Sequence, residues 1–539
     1  MSGRDIDVDP ILIVGGGPTG LIMALELARR GTPYRIIDIS RTATDKSKAI
    51  GIQARTLELF DNVGIASAFT AAGKKAVAAN VYHDEHKLVR LTFGELESPF
   101  PYILMLPQNE TESILIDQLE RLGGTVEREV KLRSFIEDSS GISASLEHAD
   151  GALESIRTPW LIGCDGAYST VRHLLNQPFL GEEYEEGFQL ADVKILWLLK
   201  EDEIYIFVHE GWLLAAFPLP DGRHRLIADV PPETAELNRT PTLDEWQKLL
   251  DDRLPVKATV SDPRWTANYR IHRKLVTKLK VGRSFLVGDA AHIHSPAGAQ
   301  GMNTGIQDSF NLAWKLSMVM HGAAKESILE SYHAERYPVE KSVLAVTDLP
   351  LHVLGLTNPV AQAARDRVMP ILAGLEVVQQ KVRGIISELA VQYSGSPIVE
   401  ENPLGSGPRA GERAPNGIVQ DTLGAEKQLF SLLAGIEHKL LIFEPLKPAP
   451  GQAELNSAAS VEAKNRFAER VKIFRITTRE ATAAEGEDAA YCDAGGSLHE
   501  RYGARRGAVY LIRPDGYVGF RCPADGAAEK LNAYLNRTY

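Results

Sequence analysis

The chain has 539 residues, more than one ordinary core holds, and its 44% hydrophobic and 24% charged residues are the balance of a folded protein of two or three domains. A formal net charge of −12 argues against nucleic acid or an anionic membrane as the main partner and leaves neutral or apolar small molecules open. Three cysteines, Cys164, Cys492 and Cys522, have neither CxxC spacing nor zinc-finger histidines, which indicates no disulfide framework and no structural metal site, and fits a reducing cytoplasm.

The opening MSGRDIDVDP is polar and acidic and reads as no secretory signal, and no apolar run is long enough for a membrane span. Ile11 to Val14 then read as a strand, Leu21 to Arg30 as a helix stopped at Gly31, and Tyr34 to Ile37 as a second strand ending in Asp38. Between them Gly15, Gly17 and Gly20 supply GxGxxG around Pro18 and Thr19. Glycine there lets backbone approach a pyrophosphate, the helix start favours its charge, and the acid after the second strand accepts ribose hydroxyls, so the unit reads as a dinucleotide site. The competing reading is a glycine turn kept only for strand–helix packing. Arg55, on the helix of QARTLELFDNVGI, can reach a phosphate or stand in an ordinary salt bridge.

From Val81 to Leu106 short alternating runs suggest strands outside this unit, and Gln108 then precedes a helix, NETESILIDQLERLGG. A hairpin-like stretch from about Thr125 to Ile156 leads to a strand ending at Cys164-Asp165-Gly166, with Ser169 as N-cap of the next helix. Residues from Phe179 to Arg273 are strand-like, with a helix at Leu243 to Asp252, and read as a mostly antiparallel sheet enclosing a pocket. Tyr205, Phe207, His209, Trp212 and Phe217 are its pocket candidates, each equally readable as sheet core. Arg270 either orients an anion or lies on the surface.

A buried strand, Ser284 to Val287, next opens into GDAAHIHSPAGAQGMNTGIQD, Gly288 to Asp308, and then the helix SFNLAWKLSMVM. An acid at a strand end, a Gly/Ala/Pro-rich loop and a helix start bring an acceptor and free backbone N–H groups to one ligand. His292 and His294 lack a third metal ligand at plausible spacing, which favours loop packing or a proton route. Helices follow to about Ala390, including AQAARDRVMPILAGLEVVQQKVRGIISELA, then a Gly/Pro-rich linker, and a last portion alternating strands and helices with a hairpin turn at Asp515-Gly516.

The motifs GGGPTG, CDGAYSTVR and GDAAHIHSPAGAQGMNTGIQD, in this order and with a sheet inserted around them, resemble the single-component FAD-dependent aromatic hydroxylases. The resemblance implies an α/β protein: a Rossmann-like FAD-binding domain (1–80, 107–178 and 274–395 with its trailing helices), an inserted antiparallel substrate domain (81–106 and 179–273), a linker (396–416) and a thioredoxin-like domain (417–539). It further implies that Gly15, Gly17, Pro18, Thr19 and Gly20 meet the FAD pyrophosphate, Asp38 the adenosine ribose, and Asp289 the ribityl or pyrophosphate end. Arg55 and Gln108 match cofactor-contacting positions. Asp165, Gly166 and Arg172 match a motif near FAD that is implicated in nicotinamide use. Pro296 to Asn303, with Gly298, Gly301 and Met302, match the loop beside the isoalloxazine, and Pro296, Gly298 and Arg270 are the expected catalytic positions.

The activity implied is that NADPH or NADH reduces FAD, O2 adds at flavin C4a, and the hydroperoxide hydroxylates a phenolic or polyketide-like substrate. Baeyer–Villiger or epoxidising oxygenation on the same fold, a flavin carrier without oxygenase turnover, and a plain NAD-dependent dehydrogenase are the alternatives. The extra C-terminal domain is compatible with a homodimer.

Overall fold

The computed structural model describes residues 9–45, 47, 49–209, 212–231, 239–294, 300–354, 375–447, 452–478 and 489–539. The expected helix over 361–374 lies outside them. The first sheet has six strands in the order Lys280–Val281, Ser284–Leu286, Leu161–Gly163, Ile11–Val14, Tyr34–Asp38, Val126–Arg128. All neighbours are parallel except the edge pair Lys280–Val281 with Ser284–Leu286. Its central strands are continuous apolar runs buried on both faces, the pattern a helix-covered parallel sheet requires. Parallel pairing also sets the C-terminal ends of three strands side by side, so Gly15, Asp165 and Gly288 emerge along one edge, where open α/β sheets bind ligands.

A second sheet of eight strands runs in the order His292–Ile293, Thr259–Val276, Phe179–Leu196, His224–Val230, Trp212–Pro218, Glu203–His209, Ala78–His83, His86–Thr92. It is antiparallel apart from Glu203–His209 beside Ala78–His83. The helix Leu243–Arg253, opened by a capping box of Thr242 and Glu245, covers one face through Trp246 and Leu250. Ile204, Leu219 and Phe217 pack on the other face, toward the small sheet of Gly51–Ile52, Ile103–Met105 and Lys74–Ala76. The strand His292–Ile293 pairs with Lys274 and Leu275, so the chain leaves the first sheet at Leu286 and joins the second sheet six residues later.

The C-terminal portion forms an eight-stranded mixed sheet from Glu400 to Pro523, with the helices Gln452–Phe467 and Ala527–Thr538 packed together. Cys522 and Cys492 are buried and lie on strands separated by Ala508–Ile512, His438–Phe443 and Val471–Thr477, so they form no dithiol pair. The turn after Ala508–Ile512 reaches into the rest of the molecule. Arg513 pairs with Glu335 at 2.5 Å and Asp515 at 2.5 Å, Lys315 donates to Glu335 at 2.7 Å, and Trp314 Nε1 donates to Asp515 at 3.2 Å. Arg513, Lys315 and Glu335 are fully buried.

Removing one partner of such a cluster strands the others without water. Arg513→Ala is therefore expected to cost about 3–5 kcal/mol, read as a drop in the first denaturant-unfolding midpoint, and an unchanged midpoint would show that the buried pairs carry no stability.

Candidate cofactor and active site

The sheet edge is shaped by glycines with distinct duties. Gly15 has φ of +111° and a Cβ there would overlap the Cys164 carbonyl, while a Cβ on Gly20 would overlap the Gly15 carbonyl. A Cβ on Gly17 meets nothing within 4 Å, so the backbone there faces open space. The helix Pro18–Arg29 begins directly after Gly17 with no side-chain cap and no acid in its first turn, leaving its N–H groups and positive dipole end to a ligand. Pro18 at the helix start gives up no intrahelical bond.

Asp38 accepts the Gly16 N–H at 2.6 Å and the Ser40 N–H at 2.7 Å, with Arg128 at 3.7 Å, so the carboxylate is fixed beside the turn with lone pairs to spare.

The second motif is tied to the third. Asp165 accepts from Ser169 Oγ at 2.5 Å and the Val171 N–H at 3.1 Å, and Ser169 caps the short helix Thr170–Leu174 through the Arg172 N–H. Desolvation pushes the Asp165 carboxyl up from its ordinary range. Gly166 takes φ of +75°. Arg172 lies over the Phe179 ring at 4.0 Å and donates to the Ala290 carbonyl at 3.0 Å.

In the third motif Asp289 is exposed at the edge, within the turn Gly288–Ala290. Gly288 has φ of +61°, and a Cβ there would come within 2.7 Å of the Thr19 hydroxyl. The helix Gly301–Met320 starts uncapped by any side chain and without an acid in its first turn, and Ser309 Oγ donates to the Thr19 carbonyl at 2.8 Å. The start of the first helix thus packs at Thr19 against Gly305 and Ser309 of the second. Asn303 accepts the Gln53 N–H at 2.9 Å and donates to the Gly51 carbonyl at 2.8 Å, anchoring the start of the second, with Met302 part-buried beside it.

Other candidates fall elsewhere. Pro296 and Gly298 lie outside the described residues. Gln108 sits at the start of the helix Gln108–Arg121, donating to Glu112 at 2.9 Å. Arg55 commits its guanidinium to Glu58 at 3.1 Å and the Asp515 carbonyl at 2.5 Å, over the Tyr517 ring, which makes it part of the C-terminal junction. Arg270 is exposed, opposite Gly187 in the second sheet. Strand alternation separates the aromatic candidates: Tyr205, Phe207 and Trp212 pack under the helix Leu243–Arg253, whereas Phe217 packs on the opposite face. His209 bonds Asp84 at the exposed end of its strand.

Comparison with known proteins bears directly on this edge. Residues 8–347 match a family described as FAD binding domain. The chain belongs to the FAD-dependent aromatic hydroxylase family. It is 32% identical to 6-methylpretetramide 4-monooxygenase of Streptomyces rimosus, covering 97% of this chain and 92% of that one. Identity is also 32% to pentachlorophenol 4-monooxygenase of Sphingobium chlorophenolicum, over 96% and 94% of the two chains. The solved anhydrotetracycline hydroxylase OxyS of Streptomyces rimosus superposes with a TM-score of 0.75 at 27% identity, covering 98% of this chain and 99% of that one. This member is an FAD-dependent monooxygenase.

Beneath the third motif the hydroxylase carries a cluster that the histidine spacing did not disclose. Asp308 accepts from Gly288 N–H at 3.1 Å, His292 Nε2 at 2.8 Å and Arg336 Nε at 2.6 Å, and Glu340 stands 3.6 Å from His292, all fully buried. The helix motif YHAERYPVEK holds the overlooked signal: Arg336 and Glu340, one turn apart among apolar neighbours. Both Asp308 oxygens are taken, one by Arg336 and the other by His292 and the Gly288 N–H, so the group is an ion-pair network. Burial alone would push the His292 imidazolium down, but Glu340 and Asp308 outweigh it and hold it at about 9, while burial pushes the Glu340 carboxyl up.

Both groups therefore hold protons in the folded state that the unfolded chain releases at lower pH. The His292 contribution is complete below its unfolded value of about 6.5 and is lost as pH rises through about 9. His292→Gln should flatten the fall in unfolding free energy between roughly pH 7 and 9. Parallel profiles for the two proteins would mean that His292 binds no extra proton.

Proposed function

We propose that this chain hydroxylates the ring of a phenolic or polyketide-like small molecule, with NADPH or NADH as reductant and O2 as cosubstrate. The observation that carries this reading is the crossing of the chain between Leu286 and His292 from the parallel sheet to the antiparallel sheet, which joins the edge bearing the glycine motifs to the inserted sheet. The naming of relatives as pentachlorophenol and pretetramide monooxygenases supports the substrate class.

In this reading the turn from Gly15 to Gly20 holds the FAD pyrophosphate: Gly17, Thr19 and Gly20 present backbone N–H groups, while Gly15, whose N–H goes to the Ile37 carbonyl, and Pro18 shape the turn. Asp38 accepts the ribose hydroxyls, and Asp289, Asp165 and Gly166 line the stretch between. Bound FAD supplies the electron transfer from nicotinamide and the oxygen chemistry. Gly301 to Asn303 aim the positive end of a 20-residue helix at the flavin ring, a fixed dipole that stabilises negative charge without rearranging. Phe217, with the part-buried Ile206 and Leu96, gives an apolar wall that excludes water and suits a planar ring.

The domain division at 81–106 and 179–273 for substrate and 417–539 for a thioredoxin-like unit belongs to the same proposal, as do cytoplasmic location and a homodimer. No described helix is long and apolar enough to cross a membrane.

The purified protein should be yellow, and phenols, naphthoquinones or polycyclic polyketides should stimulate its NADPH oxidation and gain one oxygen from 18O2. Oxidation indifferent to substrate and yielding only peroxide would refute the proposal, and fragmentation of the product separates ring hydroxylation from oxygen insertion. Phe217→Ala should lower kcat/KM roughly tenfold, about 1.4 kcal/mol, at unchanged flavin content. Phe207→Ala should instead cost stability of about 3–5 kcal/mol, and the opposite pattern would place the substrate under the helix Leu243–Arg253.

A further inference from the structure

A second constellation of reactive side chains stands at the end of the large sheet, outside the flavin site. The strands Ala78–His83 and Glu203–His209 run parallel with Val208 opposite His83, so their C-terminal ends share one end of the sheet. A turn begins at Asp84, directly after His83, and His209 is the last residue of the neighbouring strand. At this end His83, Asp84 and His209 each offer one ligand atom, and these atoms all lie within 4.8 Å of one another. His209 Nδ1 already bonds Asp84 Oδ1, and the two imidazole rings are 6.1 Å apart and close to parallel. Asp84 is exposed and both histidines are partly so, which leaves room for an ion to arrive with its waters.

We propose that His83, Asp84 and His209 bind a divalent transition-metal ion of the zinc class. Two imidazoles and a carboxylate are the donors such an ion prefers, whereas calcium and magnesium favour all-oxygen shells. Ligands at about 2.0–2.2 Å from a tetrahedral ion stand roughly 3.3–3.5 Å from one another. The observed spread brackets that separation, so side-chain rotation completes the site without backbone movement. Water fills the remaining position.

The bound ion would clip the turn after His83 to the end of the strand at His209 and so fasten the segment inserted at 81–106 to the body of the sheet. Two ligands far apart in the chain explain why spacing alone hides the site. Its role is to brace the sheet end, and nothing in it touches the cofactor edge.

The test is a calorimetric titration of untagged, FAD-loaded, chelator-treated protein with Zn2+. One equivalent should bind in the parent protein, and His83→Ala and His209→Ala should each raise Kd roughly tenfold or more. His148→Ala, which removes a histidine paired with Glu154 on a different sheet, should leave Kd unchanged. Co2+ should give a visible ligand-field band that His209→Ala abolishes. Flavin absorbance and melting temperature verify that each variant is folded, and Asp84→Asn gives the same reading if a histidine variant is not. Equal Zn2+ affinity in the parent and in the doubly substituted His83→Ala/His209→Ala protein, or an equal loss in His148→Ala, would overturn the assignment.

Discussion

One carboxylate governs how the two sheets of this protein meet. Asp308 binds the Gly288 N–H at the start of the crossing segment, His292 at its entry to the second sheet, and Arg336 from the following helix. A buried carboxylate is costly unless its lone pairs are filled by charged donors, and here they are. The segment between Gly288 and His292 is therefore held at both ends by a group that cannot relax into water. Because the same helix carries Gly301 to Asn303 in its first turn, fixing Asp308 also fixes that helix start.

The C-terminal portion is bound to that helix by a further buried network. Trp314 and Lys315 lie on the Gly301–Met320 helix, and their partners Asp515 and Glu335 are both paired with Arg513. Arg55 adds the Asp515 carbonyl from a third element. Pairs of this kind gain little over apolar packing, but they tolerate only one register, since a shifted hairpin would leave several charges unpaired. The C-terminal sheet thus acts as a support for the Gly301–Met320 helix. That places a structural duty on Arg55, where the family resemblance suggests a cofactor contact.

The motifs were legible in sequence because their chemistry is local. GxGxxG, the acid at position 38, the Asp165-Gly166 turn and the run from Gly288 each specify their own backbone, and parallel pairing then collects them at one edge. The aromatic wall was not legible in the same way. Tyr205 and Phe207 alternate with Ile204 and Ile206 along one strand, and only the position of the helix Leu243–Arg253 decides which set faces it. Arg336 and Glu340 could not be assigned from the helix pattern alone, because burial of a charge depends on partners distant in the chain. Cys492 and Cys522 lie on strands that three others separate, so the sheet does not bring them together as a dithiol.

The central claim is that Asp308 positions the segment that holds FAD. The equilibrium FAD dissociation constant of reconstituted Asp308→Asn, compared with the parent protein under conditions where both are folded, tests it most directly. Loss of the charge should weaken FAD binding by roughly tenfold or more, about 1.4 kcal/mol, although Asp308 itself is buried beneath the loop. An unchanged dissociation constant in the folded variant would contradict the account.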